Sequence, residues 1–62
     1  MMTKNYVARI YDIYDEVLEV VYHDDADMLE NIVRGDWDGC PVAKWFDIHN
    51  KENQQIVFDF VA

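Results

Sequence analysis

The chain has 62 residues, with 13 Asp and Glu against 5 Lys and Arg, a formal charge of −8 and 52% apolar residues. A chain of that length makes one domain whose small core buries only about 60% of its unfolded surface, so a deep cleft for cofactor and substrate is excluded and a binding protein, not an enzyme, is expected. The apolar content is too high, and two Gly and one Pro are too few, for a disordered acidic tail. No apolar run approaches the ~20 residues that cross a bilayer, and residues 1–5 lack the basic flank and apolar stretch of a signal peptide. A cytoplasmic chain is expected, without membrane contact. The single Cys40 offers neither an internal disulfide nor a zinc site.

Charge is unevenly spread. Residues 1–11 carry Lys4 and Arg9 and no acid. Residues 12–38 carry Asp12, Asp15, Glu16, Glu19, Asp24, Asp25, Asp27, Glu30, Asp36 and Asp38 against Arg34 alone, a balance of −9. Residues 39–62 hold Asp47, Glu52 and Asp59 against Lys44 and Lys51. Such crowding raises self-repulsion in the folded state, and solubility does not require it. It is either a solvated acidic face or a surface shaped for a basic partner.

In chain order, residues 6–14 and 17–23 are rich in β-branched and aromatic side chains and read as two strands, joined by a tight connection at Asp15-Glu16 into an antiparallel hairpin. In the second strand Leu18, Val20 and Tyr22 share one face, which is expected to point to the core, while Glu19, Val21 and His23 share the other. Asp24-Asp25-Ala26-Asp27 is helix-start chemistry, because carboxylates accept from the free N–H groups of a first turn and favour the positive end of the macrodipole. Ala26, Met28, Leu29, Ile32 and Val33 follow at helical spacing, and Gly35 offers a stop. A helix over 25–34 is expected, with Asp27, Glu30 and Asn31 away from the buried stripe and a loop over 36–41.

Residues 42–48 and 55–61 read as a second strand pair, joined by the polar stretch 49–54, with Ile56, Phe58 and Phe60 alternating against Asp59. The fold expected is α+β, in the order β-β-α-β-β: a four-stranded antiparallel sheet with one helix on one face. One helix cannot bury both faces. Tyr6, Tyr11, Tyr14, Val21, Trp37 and Trp45 cannot all join the core, so aromatic surface should remain on the open face as a homodimer interface or a partner site.

Catalytic and metal chemistry find little support in the residues. An EF-hand frame with Gly39 at its sixth position puts Arg34 at the first ligand position and Trp45 at the twelfth, so no metal is expected. Cys40 with His23 or His49 lacks anything to orient a thiolate pair, and carboxylates on exposed turns lack the pocket that acid/base work needs. Neither a cofactor nor catalytic residues are expected. Direct nucleic-acid binding is opposed by the sign of the charge, since affinity for phosphate comes from Lys and Arg.

A rigid array of carboxylates can instead occupy the basic groove of a DNA-binding protein. In size, acidity and mixed α/β pattern the chain resembles the small phage-encoded inhibitors of bacterial immunity, the anti-CRISPR and antirestriction proteins. Over six residues, Asp36-Trp37-Asp38-Gly39-Cys40-Pro41, it also resembles the Asp-aromatic-acid-Gly-x-Pro segment of the ArdA-type antirestriction proteins. That resemblance implies a DNA-mimic surface, and the anti-CRISPR class implies a CRISPR effector, of Cascade type first, that reads target DNA through basic side chains. On this reading the ten acids of residues 12–38 bind the partner: Asp24, Asp25, Asp27 and Glu30 from the helix, Asp12, Asp15, Glu16 and Glu19 from the hairpin, Asp36 and Asp38 from the loop. The other reading is a non-enzymatic structural or regulatory interaction module that homodimerises through the aromatic sheet face.

Overall fold

The β-branched and aromatic runs do form strands, and the acidic start does nucleate a helix. The elements are β1 (Tyr6–Tyr11), β2 (Val17–His23), α1 (Ala26–Asp38), β3 (Trp45–Asn50) and β4 (Ile56–Val61), in a computed structural model that describes residues 5–61. Lys4 and the rest of 1–4, read above for charge and for a leader, lie outside the described residues. All neighbouring strands pair antiparallel in one sheet ordered β2-β1-β3-β4. The fold is thus α+β, with the expected β-β-α-β-β order. Among the described residues, no helix is long and apolar enough to cross a membrane.

α1 packs across β1, β2 and β3 and covers one face of the sheet. Ala8 and Ile10 of β1, Leu29 and Val33 of α1, and Phe46 and Ile48 of β3 make the core, flanked by Tyr6, Val21, Trp37, Ala43, Phe58 and Phe60. Phe46 lies at the centre, its ring 5.8 Å and 5.4 Å from those of Phe58 and Phe60. Arg34 lays its guanidinium over the same rings, at 5.1 Å from Phe60. Truncating Phe46 to Ala would cost about 3–5 kcal/mol, a large share of the total stability of so small a domain.

Five expectations need correction. β1 stops at Tyr11, and residues 12–16 form the connection: the Asp12 carboxylate accepts from the backbone N–H groups of Tyr14 (2.8 Å) and Glu16 (3.0 Å), and Asp15 sits at φ 63°. In β2 the faces are reversed. Val21 pairs with the buried Ala8 and points to the core, while Val20 and Tyr22 stand on the open face. β2 is apolar on both sides, so its own alternation does not decide the matter, and the register against β1 does.

The helix does not stop at Gly35. Leu29, Val33 and Trp37 continue one stripe at four-residue spacing, and Trp37 packs edge-on against Phe60 with ring centroids 4.9 Å apart. That contact outweighs the intrinsic cost of a mid-helix glycine, and the C-cap is Gly39. Asp36 and Asp38 are therefore helical. Met28 and Ile32, read as core-facing, are instead exposed. Finally, β3 begins at Trp45 because residues 40–43 close a turn through the Ala43 N–H to the Cys40 carbonyl, and it runs on to Asn50. His49 is a buried strand residue and not part of the link, and β4 starts at Ile56.

Candidate partner-binding surface

Of the ten acids singled out, seven are exposed and Asp12, Asp24 and Glu30 are half-buried. The fold sorts them by position. β2 leads away from the hairpin tip and α1 returns towards it. Asp24, Asp25 and Asp27 therefore lie at the start of the helix, whereas Asp36 and Asp38 come back beside Glu19 and the tip, with its Asp12, Asp15 and Glu16. A helix of 13 residues separates the two groups by about 20 Å.

Several acids have structural work. Asp25 is the N-cap, with extended backbone and a carboxylate that accepts from the Met28 N–H at 3.1 Å. Asp27 lies in the first turn, where the macrodipole favours it. His23 Nδ1 is 3.0 Å from the Asp25 backbone N and 3.1 Å from Asp24 Oδ1; its lone pair serves the first contact, whereas the second needs a hydrogen on that nitrogen. Glu30 pairs with Arg34 one turn on, at 3.0 Å. Asp12 closes the tip, and Asp15 accepts from Trp45 Nε1 at 3.0 Å.

The acids nearest the helix end work against the fold. α1 has no basic residue in its last turn, where Asp36 and Asp38 face the negative end of the macrodipole. Glu19 and Asp36 are neighbours, and because neither carboxylate is a donor when ionised, a hydrogen bond between them takes a proton. The Glu19 carboxyl is accordingly raised above its ordinary value, first by this bond, then by burial and by the charge of Asp36. Among the described residues, Glu16, Glu19, Asp36 and Asp38 have no cationic partner within ion-pair distance. Ile13, Tyr14 and Val42, the first two read as strand residues of 6–14, are exposed around a shallow groove bordered by Asp12 and Lys44. Apolar groups thus sit beside the anionic tip.

The open face of the sheet holds a second constellation that the sequence reading missed. Asp47 and His49 are buried there, more than nine-tenths, between Arg9 and Tyr11 of β1 and the residues of β4. Arg9 Nη2 lies 3.1 Å from His49 Nε2 and 3.4 Å from Nδ1, and Tyr11 donates to Asp47 Oδ2 at 3.4 Å. Burial pushes the Asp47 carboxyl up; Arg9, His49 and the Tyr11 hydrogen bond oppose this, and Asp59 adds to it. Burial, then Asp47, raises the Tyr11 phenol. Tyr11 stacks on Trp45 at 3.9 Å, so part of the expected aromatic surface does lie on this face, whereas Tyr6, Val21 and Trp37 went to the core. The one signal in the sequence was the alternation Trp45, Asp47, His49 against Phe46, Ile48. Among the described residues, no group of three His, Cys, Asp or Glu is placed to hold a metal ion.

No protein-family model matches this sequence, and neither curated proteins nor solved structures give a significant match.

Proposed function

We propose that this chain is a non-enzymatic inhibitor that presents its anionic hairpin tip and helix end to the basic DNA-binding site of a nucleic-acid-binding protein and blocks DNA there. The observation that carries this reading is the placement of Glu19, Asp36 and Asp38. A fold selected for stability alone would not set two carboxylates against each other and two acids on the wrong end of a helix dipole. Cations of a partner relieve both costs on binding, which turns an intramolecular penalty into affinity and steering. The exposed Ile13 and Tyr14 supply apolar contact beside the charges. The resemblance to anti-CRISPR and antirestriction proteins makes a CRISPR effector of Cascade type, in the cytoplasm of a bacterial host, the target to test first.

The test is capture of partners from a bacterial lysate at low and at high salt, with mass-spectrometric identification and displacement by duplex DNA. The control is a variant with Glu16→Gln, Glu19→Gln, Asp36→Asn and Asp38→Asn, positions whose side chains hold no element together. Support is a basic nucleic-acid-binding complex recovered by the native chain alone, released by salt and by DNA. Equal recovery by both proteins sinks the reading.

A further inference from the structure

We infer that the open face of the sheet is the interface of a symmetric homodimer, with a second copy of this chain as its occupant. Its charge distinguishes it from the rest of the molecule. Arg9, Lys44 and Lys51 balance Asp15, Asp47 and Asp59, so the face is close to neutral on a chain of −8. Two such chains repel most where the uncompensated acids of residues 12–38 face each other, and least through this face, where Asp15 alone of that set sits at the edge. Around the polar centre stand half-exposed apolar side chains, among them Val20 at 43%, Tyr22 at 49% and Val61 at 65%.

The pattern across the strands is also self-complementary. One cross-strand row on this face is Val20, Arg9, Asp47, Asp59, and the next is Val17, Tyr11, Trp45, Val61. A two-fold axis parallel to the strands, between two facing sheets, lays β1 over the partner's β3 and β2 over the partner's β4, each row on itself. Arg9 then faces the partner's Asp47, Tyr11 faces the partner's Trp45, and Val17 faces the partner's Val61. A two-fold across the strands through this row would instead set Arg9 on the partner's Arg9 and Asp47 on the partner's Asp47, which charge opposes. Asp59, on the outer strand, stays at the rim.

Sedimentation of the full chain over a concentration series, at low and high salt, tests the inference. The native chain is expected at twice the 7.4 kDa of one copy, and to stay so at high salt. Tyr22, in the row Tyr22, Val7, His49, Ile56, faces the partner's Ile56; Tyr22→Lys lowers the net negative charge and so cannot dissociate the dimer by general repulsion, and it is expected to weaken self-association by about tenfold or more while circular dichroism shows the fold intact. Ile32→Lys, on the exposed flank of α1, leaves the dimer unchanged. A native chain that sediments as a monomer throughout overturns the inference. So does a Y22K variant as dimeric as the native chain, or dissociation by I32K alone. The outcome is independent of the acidic surface, whose failure to capture a basic partner would leave this dimer standing.

Discussion

The two ends of α1 carry the same residue type with opposite effect. At the start, Asp25 caps the free N–H groups and Asp27 sits where the dipole is positive, so these acids help to make the helix. At the end, Asp36 and Asp38 meet a negative dipole, and Asp36 crowds Glu19. An acidic composition is therefore not one property but two: carboxylates that hold the fold and carboxylates that the fold holds in spite of themselves. The second set is the one in which a partner is to be sought.

The largest effect that would separate the two ends is on binding. Neutralising Glu16, Glu19, Asp36 and Asp38 together is expected to weaken capture of a basic partner by about a hundredfold or more, since close charge pairs across an interface each contribute on the order of 1.5 kcal/mol or more. Neutralising Asp27 should leave capture nearly unchanged, and a titration of both variants against the same partner would show it. Equal losses would erase the distinction. On stability the order reverses. Asp25→Ala is expected to cost about 1 kcal/mol, which lowers the midpoint of thermal unfolding by roughly 4–8 °C in a domain of this size. Asp38→Asn is expected to gain about 0.3–1 kcal/mol at low ionic strength, and to lose that gain as salt is added. Urea melts of the two variants at two salt concentrations check both signs.

The smallest effects are in pH dependence, and they have an unusual direction. Glu19 and Asp47 both have carboxyl groups raised in the folded protein, so the folded chain binds more protons than the unfolded chain between the ordinary and the raised values. Their contribution to stability is present below that window and falls away as pH rises through it, opposite to that of a salt-bridged acid. Glu19→Gln and Asp47→Asn should each flatten the fall, and their stability relative to the native chain should grow as pH rises from the ordinary carboxyl range towards neutrality. An advantage that shrinks instead would mean that Arg9 holds the Asp47 carboxylate more firmly than burial opposes it.

The element order and the antiparallel sheet were legible because they rest on local chemistry: the alternation in β4, the β-branched runs of β1 and β2, and the acidic cap before α1. What was not legible depended on contacts distant in sequence. Whether Val20 or Val21 faces the core is decided by the register with Ala8, and β2 alone is apolar on both sides. Whether Gly35 ends a helix is decided by Trp37, which finds Phe60 in the last strand. A reader who counts four from Val33 meets Trp37, so that signal was present, masked by turn-like composition. The acids of the candidate surface were readable as a group, but their division was not. Only the return of the helix puts Asp36 beside Glu19, and only the pairing of β1 with β3 builds the cluster of Arg9, Asp47 and His49.

Asp15 joins two of these regions. It holds a left-handed backbone conformation at φ 63°, which an aspartate tolerates better than most side chains, and its carboxylate accepts from the indole of Trp45, itself stacked on Tyr11. The tip is thereby latched to the sheet. Ordering its carboxylates is done once, during folding, and need not be repeated at each encounter with a target. Asp15→Gly would ease the backbone and release the latch, leaving the same charges on a loop that must be immobilised anew every time it docks.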